Sequence, residues 1–149
     1  MRALVENRKA RLELEILETY EAGMSLHGFE VKTLRAGQGS LAGARILVRG
    51  GEAFLVGATI PPYQQKNAPK EYDPERSRRL LLAKKEIAEL AAAEGQKRLT
   101  IVPIMVYNKT RRLKLQVAIA RHKNKRDKRE DLKGRDAKRE IQRTLKNEY

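Results

Sequence analysis

Five cations, Arg76, Arg78, Arg79, Lys84 and Lys85, crowd into one short stretch. The chemistry open to such a cluster is anion binding, above all contact with phosphates. A solvated helix face is the plain alternative. Placed in the first turns of a helix, though, these cations oppose the macrodipole, and that cost points to a task. A second basic stretch closes the chain. Arg121 to Tyr149 holds twelve Lys/Arg against six Asp/Glu, with Leu132, Ile141, Leu145 and Tyr149 as its only large apolar residues. Tyr20, Tyr63, Tyr72 and Tyr107 offer rings that can stack on bases, although tyrosines more commonly sit at a core rim.

Catalysis has little to stand on. His27 and His122 lie far apart in sequence, and Cys is absent. No Gly-rich phosphate loop or metal-ligand spacing occurs. Asp73 and Glu75 read as helix-start residues, and Glu13, Glu15 and Glu18 as a solvated strand face.

The totals fit that chemistry. The chain has 149 residues and a formal net charge of +14. The closing stretch supplies +6 of this, so both parts are basic and favour anionic partners at long range. Hydrophobic residues make up 40%, enough for one small core. Without cysteine there is no disulfide framework or thiolate zinc site, which fits a reducing cytoplasm. No apolar run reaches membrane-spanning length, and the first residues lack a signal peptide's apolar segment. The expected organisation is a folded module over 1–120 and a basic tail over 121–149. The tail is too poor in apolar residues to offset its ordering entropy, so it should be disordered when free.

The elements that would position these groups are mostly strands. Leu12 to Ile16 alternates with period two. Glu21-Ala22-Gly23 reads as a turn into a second strand from Met24 to Leu34, bent at Gly28. Arg45 to Arg49, Gly50-Gly51 and Glu52 to Ile60 form a hairpin pattern. Asp73-Pro74-Glu75 predicts the start of a helix running to about Glu94 and stopped by Gly95. Leu99 to Tyr107 is a strand that Pro103 marks as an edge or bulge. Asn108 to Arg111 is a turn, and Leu113, Leu115, Val117 and Ile119 alternate in a last strand. About six antiparallel strands and one inserted helix favour a small closed or nearly closed barrel, because closure removes exposed edges.

The motifs, in order, resemble the SmpB family of SsrA-binding proteins. They are Asn7-Arg8-Lys9-Ala10, Glu18 to Gly23, Gly28 to Gly37, Asp73-Pro74 with Arg76, Arg78 and Arg79 before Leu80-Leu81-Leu82, Leu99 to Pro103, and Asp127 to Glu130. Together they span nearly the whole chain. The resemblance implies a six-stranded antiparallel barrel related to the oligonucleotide-binding fold. It also implies a monomeric, cytoplasmic, non-enzymatic adaptor without a cofactor. Its partners would be the transfer-RNA-like domain of transfer-messenger RNA (tmRNA) and the ribosome's decoding centre and messenger channel, in ribosome rescue. No membrane would be involved. The resemblance places Asn7, Glu21 and Leu81 on the RNA-binding surface, and the full expected RNA-binding set adds the nearby Arg8, Lys9, Glu30, Lys32, Arg35, Arg76, Arg78, Arg79 and Lys84. In the tail the resemblance implies roles for Asp127, Lys128 and Arg129; Arg126 beside them, and Ile141 and Leu145, which share one stripe with Ala137 if the tail becomes helical, complete the expected tail set.

Physical chemistry agrees with several of these assignments. Asn7, Arg8 and Lys9 offer amide and cationic donors, and Glu21 in a polar turn can accept from ribose 2′-hydroxyls. Some positions depart from the family pattern. Phe29 stands where Thr or Trp is commoner, His122 where Gly is usual, and Arg126 where His or an aromatic is common. The rival readings are a structural ribosomal protein, another RNA-binding module of oligonucleotide-binding type, and a barrel-fold nuclease. The last would need an acidic cluster or His pair that the sequence does not display.

Overall fold

The computed structural model describes residues 2–64 and 69–123. Seven strands and three helices alternate along it: β1 (Ala3–Glu6), α1 (Arg8–Glu13), β2 (Leu14–Met24), α2 (Gly28–Arg35), β3 (Arg45–Arg49), β4 (Glu52–Val56), β5 (Arg78–Leu81), α3 (Lys84–Glu94), β6 (Leu99–Lys109) and β7 (Arg112–His122). They form one antiparallel sheet in the order β1-β6-β7-β2-β5-β4-β3. The sheet curls so that β3 comes back beside β6, and α3 packs against both. No ladder joins β1 to β3, so the sheet stays open in its hydrogen bonding. The expected mainly β architecture with helices is present. It has seven strands rather than six among the described residues, and the sheet curls towards a barrel without closing.

The concave side carries the main core, including Ile46, Leu55, Leu80, Leu90, Val106, Leu115 and Val117, all at most 2% exposed. Burial of these aliphatic groups is the dominant favourable term for the module. The convex side holds a smaller cluster of Ala10, Leu14, Val102, Ile104, Ala118 and Ala120. There α1 lies over only one end of the long β6-β7-β2 ribbon.

Two hairpins follow the residues closely. Gly50 and Gly51 take φ of 60° and 74°, as a two-residue turn matched to strand twist requires. The β6-β7 turn is tighter than the four residues expected. Asn108 and Lys109 still pair with Leu113 and Arg112, and only Thr110 and Arg111 turn, both at positive φ. Pro103 marks a bulge, since the register shifts between it and Met105.

Three expected elements differ. Glu21-Ala22-Gly23 is not a turn but part of β2, near its C-terminal end. Gly23 is needed there because Leu81 crosses directly opposite, and an added Cβ would meet the Leu81 Cβ at 3.2 Å. The expected strand from Met24 to Leu34 is instead the last residue of β2, a short link and, from Gly28, helix α2. Its buried residues Glu30, Thr33 and Leu34 recur at helical spacing, and Glu30 Oε1 accepts from the His27 N–H at 2.7 Å to close the first turn. The expected helix from Asp73 splits. Asp73 caps a short turn, its Oδ1 accepting from the Glu75 N–H at 2.9 Å. Arg78 and Leu80 then point inward and Arg79 and Leu81 outward, which is the alternation of a strand. The helix begins only at Lys84 and ends at Gly95, where the sequence stops it.

β1 and α1 carry too few residues for a periodicity to declare them. The Leu12-to-Ile16 alternation conceals a boundary, with helix to Glu13 and strand from Leu14.

Candidate nucleic-acid interface

The convex sheet face beyond α1 gathers side chains from four strands. Directly opposed residues share a face of the sheet. Gly23 opposes both Leu81 and Lys114, Glu21 opposes Gln116, and Lys114 opposes Tyr107. Glu21, Leu81, Lys114, Gln116 and Tyr107 therefore lie on one surface, with Lys109 reaching onto it from the end of β6. Leu81 is 54% exposed, although it lies in a strand and not on a helix.

Glu21 sits at the centre of this surface. Its Oε2 accepts from the Tyr107 hydroxyl at 2.6 Å, and both of its oxygens accept from Lys109 Nζ at 3.2 Å. The Tyr107 hydroxyl, with help from Lys109 and the nearby Lys114 charge, holds the Glu21 carboxyl below the usual carboxylate range. Burial and the bond to Glu21 push Tyr107 upward. Glu21 is thus a fixed anion, not a proton shuttle. A carboxylate offers about four lone-pair sites, and this one is still partly exposed. It can accept from a ribose 2′-hydroxyl or a base amino group while Lys109 and Lys114 face phosphates.

Other residues of the expected RNA-binding set have different surroundings. Asn7 is 6% exposed. Its Oδ1 accepts from the Ala10 N–H at 3.2 Å and its Nδ2 donates to the Pro103 carbonyl at 2.9 Å. It caps α1 and clips it to the β6 bulge, so its amide is committed inside the fold. Arg8 and Lys9 are exposed beside it.

Glu30 and Arg78 are both 0% exposed. Glu30 Oε2 accepts from Arg78 Nη2 at 2.8 Å, Arg78 Nε at 3.0 Å and the Tyr72 hydroxyl at 2.8 Å, and Arg76 Nη2 reaches its Oε1 at 2.5 Å. Arg78 also donates to the Ala58 and Pro74 carbonyls. Burial alone would raise the Glu30 pKa, but the donors overcome it and bring it down to about 2. For Tyr72, burial and Glu30 push the pKa up to about 12. The cluster stitches α2, β5 and the chain between β4 and β5 together. Glu30 and Arg78 are thus enclosed within the fold and bonded to each other, and Arg76 is largely committed to the same cluster.

The remaining members lie on the surface. Arg79 is exposed on the convex face and pairs with Glu52 at 3.3 Å. Arg35 donates to the Arg111 carbonyl at 2.8 Å, and Lys32 and Lys84 are exposed. Arg126, Asp127, Lys128, Arg129, Ile141 and Leu145 lie outside the described residues.

The sequence marks Tyr107 only as one of four rings able to stack on bases, and it does not single out Lys109, Lys114 or Gln116 for this surface. Period-two alternation places Lys114 and Gln116 outward. What sets them beside Glu21 is strand register, which no local pattern carries. Among the described residues no group of three or more His, Asp or Glu could hold a metal ion, and no helix is long and apolar enough to cross a membrane.

Comparison with known proteins points one way. Residues 4–147 match the family model described as SmpB protein. The SsrA-binding protein of Thermosynechococcus vestitus is 46% identical over 146 residues, covering 98% of this chain and 96% of that protein. The one from Alkalilimnicola ehrlichii is 48% identical over 141 residues, covering 95% and 88%. A solved chain described as "tmRNA-SmpB: a journey to the center of the bacterial ribosome" superposes with a TM-score of 0.68 at 41% identity, covering 85% of this chain and 92% of that one.

Proposed function

The chain belongs to the SmpB family, and from that premise we propose that it is an RNA-binding adaptor of trans-translation. It binds the transfer-RNA-like domain of tmRNA and brings that RNA to stalled ribosomes. It acts by recognition, without catalysis or a cofactor, as a monomer in the cytoplasm. The module over 1–120 holds the RNA, and the basic stretch over 121–149 enters the empty messenger channel past the decoding centre.

One observation carries the RNA-binding part. On the convex face, the fixed Glu21 anion shares one surface with the Lys109 and Lys114 cations and the exposed Leu81. That mixture suits folded RNA. Cations take phosphates, a carboxylate accepts from 2′-hydroxyls, and an exposed leucine packs on an unstacked base or ribose. A plain phosphate-binding patch would have no use for the carboxylate or the leucine.

The test is to purify the protein from its own cells and sequence the RNA that accompanies it. Enrichment of tmRNA over bulk ribosomal RNA is the expected result. Stoichiometric ribosomal RNA with no tmRNA would favour a resident ribosomal protein instead. Truncation separates the two proposed parts. Removing residues 127–149 should leave tmRNA affinity largely intact and abolish peptide tagging on stalled ribosomes. Continued tagging by the truncated protein would remove the tail from the mechanism.

A further inference from the structure

The tyrosines differ in a way that bears on stacking. The hydroxyls of Tyr20, Tyr72 and Tyr107 are each tied to a carboxylate, on Glu89, Glu30 and Glu21. Tyr63 is instead 47% exposed. It lines a cavity of about 370 Å³ together with Gly28, Phe29, Lys32 and Gln64. That volume lies within the range of small-ligand clefts, about 300–1,000 Å³. The cleft shares no residue with the convex face around Glu21.

The Phe29 wall and the backbone leading to Tyr63 are held in place. The Thr33 hydroxyl of α2 bonds to the Pro61 carbonyl at 2.8 Å, fixing the stiff Pro61-Pro62 pair that leads into Tyr63. The Phe29 ring stacks on His27 at 5.3 Å and meets the Tyr72 ring edge-on at 4.7 Å. Tyr72 is itself anchored by Glu30 and Arg78. On the open side, a Cβ added at Gly28 would meet nothing within 4 Å. Two aromatic side chains and one exposed lysine thus border a preformed cleft.

Resting on the RNA-binding reading above, we propose that this cleft is a second RNA site, in which Tyr63 and Phe29 receive one unpaired nucleobase and Lys32 takes an adjoining phosphate. Aromatic walls accept any base face, and a lysine beside them supplies the backbone contact. With one site on the convex face and another at the β2-α2 corner, the module holds two RNA segments at once. The second segment comes either from tmRNA or from ribosomal RNA.

The experiment uses the full chain with Tyr63→Ala, Tyr63→Phe and Lys32→Gln, and measures Kd in two arms. One arm uses isolated tmRNA and the other uses ribosomes lacking tmRNA. Tyr63 and Lys32 are exposed, so thermal stability should not move. Tyr63→Ala should weaken binding roughly tenfold in one arm, as the loss of one stacked base predicts. Tyr63→Phe should retain wild-type affinity in that arm. Lys32→Gln should weaken the same arm a few-fold and lower its salt slope by about one. Loss in the first arm assigns the nucleotide to tmRNA, and loss in the second to ribosomal RNA. Wild-type affinity of Tyr63→Ala and Lys32→Gln in both arms would overturn the proposal. Failure of the wild-type protein to bind tmRNA would instead overturn the broader reading.

Discussion

Glu21 and Glu30 are both carboxylates held by a tyrosine and by cationic side chains, yet they serve opposite ends. Glu21 lies on the open convex face, its Tyr107 and Lys109 partners leaving room for a further donor. Glu30 lies in the core, with Arg76, Arg78, Tyr72 and the His27 N–H around it. The residue types are nearly the same, and burial decides the role. An exposed anion among cations can exchange water for a ligand's donors at little cost. A buried one cannot lose a partner without leaving an uncompensated charge.

Arg78→Ala tests the buried side most severely. It should leave Glu30 without its main partner and destabilise the module by about 3–5 kcal/mol, read by urea unfolding. A loss below about 1 kcal/mol would mean that the cluster is not holding the fold. RNA affinity, measured where the variant is still folded, should change little.

Acid should expose the same cluster. The Glu30 pKa falls from 4.5 to about 2 on folding. A depressed carboxylate contributes its full stabilisation above the unfolded value and loses it as pH drops through the folded one. Stability should therefore decline from about pH 4.5 to about pH 2, by about 3 kcal/mol from this group. Unfolding midpoints across that range in the wild type, set against a Glu30→Gln variant, would isolate its share. Equal slopes would assign the loss to other carboxylates.

Asn7→Ala lies between the two regions. It removes the α1 cap and the clip to Pro103, so the expected loss is about 1–2 kcal/mol of stability, visible as a lower melting temperature. Loss of RNA affinity with unchanged stability would instead make the residue an RNA ligand.

On the open face the stability effects should be smallest. Glu21→Gln and Leu81→Ala should shift stability by less than about 1 kcal/mol while weakening tmRNA binding. Lys114→Gln should lower the slope of log K against log salt by about one. A stability loss as large as that of Arg78→Ala would erase the distinction between the two regions.

How legible these regions were depends on what kind of information each requires. The β3-β4 hairpin, the alternation of β7, the Pro103 bulge and the Gly95 stop rest on local chemistry and are readable from neighbouring residues. The family resemblance brought Glu21 and Leu81 forward as well. Their meeting at Gly23, and the approach of Lys109 and Lys114, depend on register between strands distant in sequence. The same holds for Arg78, because only the Glu30 carboxylate from α2 explains a fully buried arginine. The Asp73-Pro74-Glu75 run has the features of a helix start, but tertiary pairing of β5 between β2 and β4 outweighs that local preference. The capping role of Asn7 is not legible in the sequence, because α1 is too short for periodicity to reveal.

The central claim, that the convex face around Glu21 receives the RNA, is tested most directly by lysine footprinting with and without the transfer-RNA-like fragment of tmRNA. Each lysine's reactivity would be read by mass spectrometry. Lys109 and Lys114 should lose most of their reactivity on binding, while Lys97, in the turn between α3 and β6, keeps its own. Full reactivity of Lys109 and Lys114 in a saturated complex would contradict the account.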